Sequence, residues 1–322
     1  MMKKEELRIV FFGTPDFAVE SLKRLYEGGY NIVGVVTMPD KPAGRGNHLR
    51  QSDVKIYAVE HGLHLLQPVN LKDEEFVREL QQLDAQLFIV IAFRMLPEVV
   101  WQMPPLGTFN LHASLLPKYR GAAPINWAVM NGDTITGVTT FFLQHEIDTG
   151  DIIQQRSIPI SRNDNVEVVH DRLMMLGADM VLDTVNDIIA GTVHRTRQEE
   201  LLSDGETPTP APKIFKETCR IDWNSEGERI YNHIRGLSPY PAAWTELVSA
   251  DGKRNLIKVY ETSEPQSCQP PISGAIHTDG KRLWVDCKDA RIELLSVQLA
   301  GKKRMGVAEF LRGFSVDSAH FE

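Results

Sequence analysis

Short apolar runs alternate with helical segments in the first third of the chain, and this alternation constrains the fold more than any other feature. Runs at residues 7–12, 32–36 and 87–92 are each long enough for one buried strand. The segments at 14–27 and 73–83 place apolar residues at helical spacing. A β-α-β order of this kind predicts an open, mostly parallel sheet with helices on both faces, an α/β fold of Rossmann-like type.

Helix boundaries are marked by residues with a known preference for helix ends. Thr14 is predicted to cap the first helix, and Gly191 to end a long amphipathic helix over residues 165–190. Ser225 and Glu228 have the spacing of a capping box, which predicts a further helix in the second half of the chain.

The last third of the chain contains short strand-like runs instead. Asp251-Gly252 and Asp279-Gly280 lie between such runs and predict hairpin turns. About five strands in ~100 residues suggest a small C-terminal β-barrel. One such barrel is the OB-fold, which often binds nucleic acids. The expected strands are 244–248, 256–260, 275–278, 283–285 and 292–299.

The segment 198–212 separates these two parts. Prolines at alternate positions near its end favour an extended, stiff linker. We therefore predict a catalytic domain over 1–197, a linker over 198–212 and a β-barrel domain over 213–322.

Charge is distributed unevenly between the two parts. Residues 213–322 include 16 basic and 15 acidic residues, whereas residues 1–206 include 19 basic and 28 acidic residues. The more basic half is a weak indication of a polyanionic partner.

Several classes of protein are disfavoured by composition. The three cysteines lack C-x-x-C spacing, which argues against a zinc site or a disulfide framework, and no metal is expected. Gly13 stands alone without a G-x-G-x-x-G pattern, so bound NAD is unsupported. The longest apolar run, residues 87–93, is too short to cross a bilayer, and the first residues do not resemble a signal peptide. We expect a cytoplasmic monomer that contacts no membrane.

A possible catalytic group is formed by Asn110, His112 and the more distant Asp148. Residues two apart on a strand point to the same side, so the amide of Asn110 and the imidazole of His112 would face one space. An oxyanion donor, a proton acceptor and an orienting carboxylate suit acyl transfer to an amine, which is its own nucleophile. Taken singly, His112 could equally be a satisfied core histidine, and Asn110 or Asp148 a turn residue.

The residues around this group resemble a known family. Residues 110–124 read Asn-x-His-x-Ser-Leu-Leu-Pro-x-x-Arg-Gly-x-x-Pro, and Asp-Thr-Gly follows at 148–150. This pattern is similar to the enzymes that transfer a formyl group from 10-formyltetrahydrofolate. Residues 12–18, 39–46, 234–243 and 301–305 resemble the methionyl-tRNA formyltransferase branch, so the resemblance covers nearly the whole chain.

The resemblance implies a role for particular residues. It makes Asn110, His112 and Asp148 the catalytic group, and initiator methionyl-tRNA and the folate the two substrates. It also implies a flexible loop over 39–51 that enters the tRNA acceptor stem. The positions implied to contact tetrahydrofolate are Ser114, Leu115, Leu116 and Pro117, and those implied to contact tRNA are Lys41, Arg45 and Lys213.

Two positions depart from the family pattern, and two other functions compete with the one implied. Glu146 and Arg94 stand where the family usually has glycine, and Arg94 could face solvent or the acidic tail of the folate. His112 could act as a base or as an imidazolium that stabilises the oxyanion. The alternative enzyme would formylate a sugar amine or glycinamide ribotide. The third possibility is a non-catalytic RNA-binding protein, which the joint presence of the three catalytic residues argues against.

Overall fold

The computed structural model of the chain describes residues 2–43, 48–203, 205, 207–268 and 271–322. It divides into two compact units. The first comprises residues 1–121, 136–158 and 170–210, and the second comprises 122–135, 159–169 and 211–322. The linear boundaries expected from the sequence stay a prediction, because a compact unit need not be an independently folding domain.

The first unit is built on a seven-stranded sheet with the strand order β10-β9-β7-β6-β1-β2-β5. Strand β1 pairs in parallel with β2 and β6, and β7 pairs in parallel with β6 but antiparallel with β9. The mostly parallel α/β sheet is therefore confirmed. The strands as far as the long helix are β1 (Ile9–Gly13), β2 (Ile32–Val36), β3 (Lys41–Ala43), β4 (His48–Arg50), β5 (Leu65–Leu66), β6 (Leu87–Ile91), β7 (Thr108–His112), β8 (Arg120–Gly121), β9 (Ile135–Phe142) and β10 (Ile152–Pro159).

The helices of this part of the chain begin close to the predicted positions, with one error at a cap. Thr14 does not cap the first helix: Pro15 is the N-cap residue without a side-chain hydrogen bond, and the Thr14 hydroxyl has no partner. The carbonyl of Thr14 instead accepts from Val54 N–H. The helices are α1 (Asp16–Glu27), α2 (Asp53–Glu60), α3 (Glu74–Gln82), α4 (Glu98–Trp101), α5 (Pro124–Met130) and α6 (Val166–Ala190), the last ended by Gly191 at a φ of 69°.

Aromatic residues of the central strands form much of the core. Phe12 and Phe88 lie with ring centroids 5.2 Å apart, and both are fully buried. Helix α3 packs Phe76 and Leu80 into the same cluster, as its helical spacing predicts. Burying a side chain of this size contributes about 1.5–3 kcal/mol to the stability of the fold. This core therefore fixes the central strands, at whose ends polar residues lie.

The second unit contains an antiparallel, nearly closed barrel with the strand order β15-β16-β17-β13-β12-β19. An antiparallel bridge between Ala275 and His320 joins the two ends of this order. Gly252 and Gly280 adopt positive φ in the turns β12–β13 and β15–β16, which confirms both predicted hairpins. The strands of this sheet are β12 (Ala243–Val248), β13 (Arg254–Thr262), β14 (Gln266–Ser267), β15 (Ile276–Thr278), β16 (Leu283–Asp286), β17 (Ala290–Leu299), β18 (Met305–Gly306) and β19 (His320–Phe321). Strand β11 (Pro210–Ala211), which precedes them in the chain, is not part of it.

Two helices accompany these strands, α7 (Gly227–Leu237) and α8 (Val307–Gly313). The capping box predicted for α7 is wrong. Glu226 is the N-cap residue and makes no side-chain cap, while Ser225 donates to Asp222. The Glu228 carboxylate forms an ion pair with Arg162, so it does not accept a hydrogen bond from the backbone at the start of α7.

A buried carboxylate, Asp286, is held inside the barrel unit by its neighbours. Arg291 Nε lies 2.6 Å from Oδ1 and His277 Nε2 lies 2.9 Å from Oδ2. Burial raises the pKa of Asp286, but the hydrogen bonds from Arg291 and His277 outweigh it and hold that pKa below its usual value. Within the described ranges, no helix combines the length and the apolar character needed to cross a membrane.

Candidate active site

Asn110 and His112 lie at the carboxyl end of β7, the position where open α/β sheets bind their ligands. The strand is flanked by β6 and β9, and its register places Asn110 opposite Phe141 and His112 opposite Thr139. Because the two residues are two positions apart on a regular strand, their side chains share one face of the sheet. This part of the prediction rested on periodicity alone.

His112 is almost completely buried, and its two ring nitrogens have different neighbours. Nε2 lies 2.8 Å from the carbonyl oxygen of Tyr119, and Nδ1 lies 3.8 Å from Oδ2 of Asp148. A carbonyl oxygen can only accept, so Nε2 must carry the hydrogen in this arrangement. The hydrogen bond that fixes the tautomer is thus made to Tyr119, and the carboxylate expected to orient the imidazole lies 3.8 Å from the other ring nitrogen.

Asp148 is brought close to His112 by an unusual backbone conformation. Its φ is 55°, in the left-handed region, and its Oδ2 accepts from Gly121 N–H at 2.9 Å. Gly150 closes the turn, and a Cβ there would overlap the carbonyl oxygen of Phe142. The glycine of the Asp-Thr-Gly motif is therefore a steric requirement for the chain segment that carries the carboxylate.

Asn110 carries a buried oxygen that nothing in the described protein satisfies. Its Oδ1 is inaccessible to solvent and has no hydrogen-bond partner. An unpaired buried acceptor costs about 1–3 kcal/mol, so natural structures keep few of them. The cost of this unpaired oxygen indicates that Asn110 serves something other than stability.

The segment from Ser114 to Pro117 is fastened by side chains that the sequence analysis did not single out. Thr139 Oγ1 donates to Ser114 O at 2.7 Å and accepts from Leu116 N–H at 3.1 Å. Gln155 Nε2 donates to Leu116 O at 2.7 Å and to Thr139 Oγ1 at 2.9 Å. Single polar residues inside strands β9 and β10 gave no signal in the sequence that would have marked them.

The side chains of that segment are mostly turned inward. Ser114 is fully buried and donates its hydroxyl to Lys118 O at 2.6 Å. Leu116 and Pro117 are buried, and Leu115 is half-buried. The segment therefore offers a fixed surface, and the serine hydroxyl is already engaged.

The basic residues expected to contact tRNA are distributed over both units. Lys41 is exposed in the first unit, where β3 and β4 form a two-stranded antiparallel pair within the expected 39–51 loop. Arg45 lies outside the described residues. Lys213 is exposed in the second unit, with Nζ 5.8 Å from the ring centroid of Phe215.

Arg94 and Glu146, the two residues that stand where the family usually has glycine, lie in different surroundings. Arg94 is half-buried, and its guanidinium donates to Val69 O at 2.8 Å and to Pro68 O at 2.5 Å. Glu146 is exposed in the turn before Asp148, and its carbonyl accepts from the Thr149 hydroxyl at 3.0 Å. Glu146 does not adopt positive φ, so a side chain fits at that position.

His, Cys, Asp and Glu side chains are the common protein ligands of metal ions, and the part of the chain that the structure describes does not cluster them. No group of three or more His, Cys, Asp or Glu residues there could hold a metal ion.

Two family models match the chain. A model described as formyl transferase covers residues 7–185, and one described as formyl transferase, C-terminal domain, covers residues 213–315. A methionyl-tRNA formyltransferase from Bacteroides fragilis is 61% identical over 319 residues, which are 99% of this chain and 98% of that protein. One from Phocaeicola vulgatus is 64% identical over 315 residues, 97% of each chain.

Solved structures with the same fold are more distant in sequence. An N-formyltransferase from Helicobacter canadensis, in complex with folinic acid and dTDP-3-aminofucose, has a TM-score of 0.64 at 19% identity, over 89% of this chain and 98% of that one. HypX from Aquifex aeolicus, in complex with tetrahydrofolic acid, has a TM-score of 0.61 at 19% identity, over 95% of this chain and 47% of that one. These two likenesses concern the fold. By the family models and the high identity of its full-length relatives, the chain belongs to the methionyl-tRNA formyltransferase family.

Proposed function

We propose that this protein transfers the formyl group of 10-formyltetrahydrofolate to the α-amine of initiator methionyl-tRNA. The first unit would bind the folate and carry out the transfer, and the C-terminal barrel would help to hold the tRNA. The protein would act in the cytoplasm as a monomer. Support comes from the full-length relatives that carry this activity in their names and from the polar group at the end of β7.

The observation that carries the proposal is the placement of Asn110 and His112 two residues apart at the carboxyl end of β7, with Asp148 Oδ2 3.8 Å from His112 Nδ1. The transfer forms a bond from the α-nitrogen to the formyl carbon and then breaks the bond from that carbon to N10 of the folate. Negative charge develops on the formyl oxygen between these steps. Asn110 Nδ2 would donate to that oxygen, since Nδ2 is the donor of the amide and Oδ1 is shielded from solvent. An oxyanion donor contributes about 3–4 kcal/mol to transition-state stabilisation.

His112 would manage the proton that the amine loses. Nε2 donates to Tyr119 O and cannot be the base, so Nδ1 is the nitrogen available to receive a proton. When Nδ1 is protonated, Asp148 Oδ2 at 3.8 Å balances the new charge. The proton finally passes to N10 as that nitrogen leaves, which balances the reaction without any other co-reactant. The imidazole would thus act first as the base and then, once protonated, as a positive charge that stabilises the oxyanion.

The Ser114–Pro117 segment would form a wall against the folate. Ser114, Leu116 and Pro117 would act through the fixed shape of their backbone, and the half-buried Leu115 through its side chain. Thr139 and Gln155 already hold Ser114 O and Leu116 O, so the wall needs no ordering when the folate arrives. Preorganisation of this kind lowers the cost of binding.

The tRNA would be met by Lys41, Arg45 and Lys213. Phosphate contacts by such cations supply most of the sequence-independent affinity of a nucleic-acid complex. Asp40, beside Lys41, does not cancel this charge, because it forms an ion pair with Lys55 at 2.6 Å. Hydrogen bonds from Lys55 and Gln67 also hold the pKa of Asp40 below its usual value.

The proposal is tested by removing Asn110 or His112. Asn110→Ala and His112→Ala should each lower kcat for formyl transfer by ~100-fold or more, because each removes a group that acts in the transition state. Thermal unfolding should show that both variants stay folded. His64→Ala, an exposed histidine in the same unit, is the matched control and should keep full activity. Near-normal turnover in either site variant, with chemistry rate-limiting, would refute the assignment.

The competing enzyme would formylate a sugar amine or glycinamide ribotide. Such an enzyme would use the same three residues, so the distinction depends on the acceptor. The likeness to the N-formyltransferase structure that holds dTDP-3-aminofucose is at 19% identity, whereas the two methionyl-tRNA formyltransferases named above are 61% and 64% identical to this chain. Tight binding of a nucleotide-linked amino sugar together with absent binding of tRNA would favour the competitor.

A further inference from the structure

Gln198 is a buried polar residue at the start of the segment that the sequence marks as a linker. It begins a short 3-10 helix, Gln198–Leu201, and only 1% of its surface is exposed. A glutamine at a linker start would ordinarily be solvated. Its burial therefore needs a partner for every polar atom of the amide.

Both ends of the amide are completely engaged. Oε1 accepts from Arg120 Nε at 2.9 Å and from Arg120 Nη2 at 2.7 Å. Nε2 donates to Asp148 O at 2.8 Å and to Gly150 O at 2.9 Å. Guanidinium groups only donate and carbonyl oxygens only accept, so the amide has a single possible orientation.

These contacts join the two chain segments that meet at the Asp148 carboxylate. One segment, 148–150, carries the carboxylate and is held through its carbonyl oxygens. The other, β8, contains Arg120 and also Gly121, whose N–H donates to Asp148 Oδ2 at 2.9 Å. Gln198 therefore fixes both the backbone that carries the carboxylate and the strand that binds it.

From this geometry we infer that Gln198 is a positioning residue for Asp148, holding its carboxylate at the distance from His112 that formyl transfer requires. Asp148 has positive φ, a conformation that a non-glycine residue keeps only when its surroundings impose it. The inference rests on the proposed function, because it assigns Gln198 an effect on the reaction through Asp148. A displacement of about 1 Å in a catalytic group can lower a rate by ~100-fold.

The test compares Gln198→Met, Gln198→Glu and the control Gln154→Met. Met keeps the length of the side chain and removes all four hydrogen bonds. Glu keeps an acceptor for Arg120 but loses both donors to Asp148 O and Gly150 O. Gln154 donates to Asp187 at 2.6 Å, away from the three catalytic residues, so its replacement should leave kcat unchanged.

We expect both Gln198 variants to lower kcat by ~10-fold or more, while KM for 10-formyltetrahydrofolate and for methionyl-tRNA stays within about threefold. The pH–rate profile should shift in the same direction as that of Asp148→Asn. The double variant Gln198→Met/Asp148→Asn should be no slower than Asp148→Asn alone, because the two changes remove one function.

The outcomes separate this inference from the proposed function. If Asp148→Asn is inactive but Gln198→Met has an unchanged pH–rate profile and an additive effect in the double variant, Gln198 is only structural and the inference is overturned. If Asp148→Asn is itself fully active, the proposed function of Asp148 fails first. Should Gln198→Met not fold, the same comparison with Gln198→Glu decides the question.

Discussion

The imidazole of His112 has two ring nitrogens in different surroundings, and this difference determines which nitrogen can exchange a proton. Tyr119 O engages Nε2, and Asp148 Oδ2 faces Nδ1 across 3.8 Å. The sequence predicted that Asn110, His112 and Asp148 would share one space. It could not predict the contact with Tyr119, because a backbone carbonyl carries no side-chain signature.

At this scale we predict a change in pH dependence when Asp148 loses its charge. Asp148→Asn should keep the hydrogen bond from Gly121 but remove the negative charge that faces Nδ1. With Nδ1 as the base, kcat should fall by ~100-fold or more and the acid limb of the pH–rate profile should move to lower pH. Steady-state kinetics between about pH 5 and pH 9 measure both effects. An unchanged profile would mean that the two residues do not interact.

Single elements of the fold were predicted with uneven success, and the reason is physical. The runs that became β2 and β6, and the Asp-Gly hairpins of the barrel, follow from periodicity and turn chemistry, which are local. The predicted caps at Thr14 and Ser225 were wrong, because Pro15 is the N-cap residue of α1 and the Ser225 hydroxyl donates to the nearby Asp222 instead of to the start of α7. Gln198 was missed because its partners lie far away in the chain.

The turn over residues 143–150 gives a prediction at the scale of an element. Gly150→Ala places a Cβ against the carbonyl oxygen of Phe142, so the backbone must move. We expect a loss of about 1–3 kcal/mol in the free energy of unfolding, and a fall in kcat because Asp148 is displaced. Urea unfolding and the transfer assay measure the two effects.

Gly313→Ala is the matched control, since a Cβ at Gly313 meets no atom within 4 Å. Its stability and kcat should match those of the unaltered protein. A Gly150→Ala variant with normal stability and normal kcat would show that the turn has more freedom than its close contact with Phe142 indicates.

For the whole molecule, we propose that the first unit carries out the reaction and that the second unit makes part of the contact with the tRNA. The surplus of acidic residues before position 206 and the near balance after position 213 agree with such a division. The linear domain boundaries remain a prediction. Segments 122–135 and 159–169 group with the C-terminal residues, a non-local pairing that sequence periodicity cannot reveal.

The tRNA contact is tested through Arg45, which is flanked by Gly44 and Gly46 in the sequence. Arg45→Ala should weaken methionyl-tRNA binding and reduce the salt dependence of binding by about one unit if one phosphate contact is lost. Folate affinity should not change. Weaker folate binding with an unaltered tRNA salt slope would instead assign this loop to the folate and revive the sugar-amine alternative.

The most direct measurement is a transfer assay with 10-formyltetrahydrofolate labelled in its formyl group. Charged initiator methionyl-tRNA and a nucleotide-linked amino sugar are supplied together as competing acceptors, and the label is followed into each product. We predict that the label appears as formylmethionyl-tRNA, that the amino sugar stays unlabelled, and that Asn110→Ala lowers the rate of labelling by ~100-fold or more. Label in the amino sugar, or none in methionyl-tRNA, would contradict the proposed function.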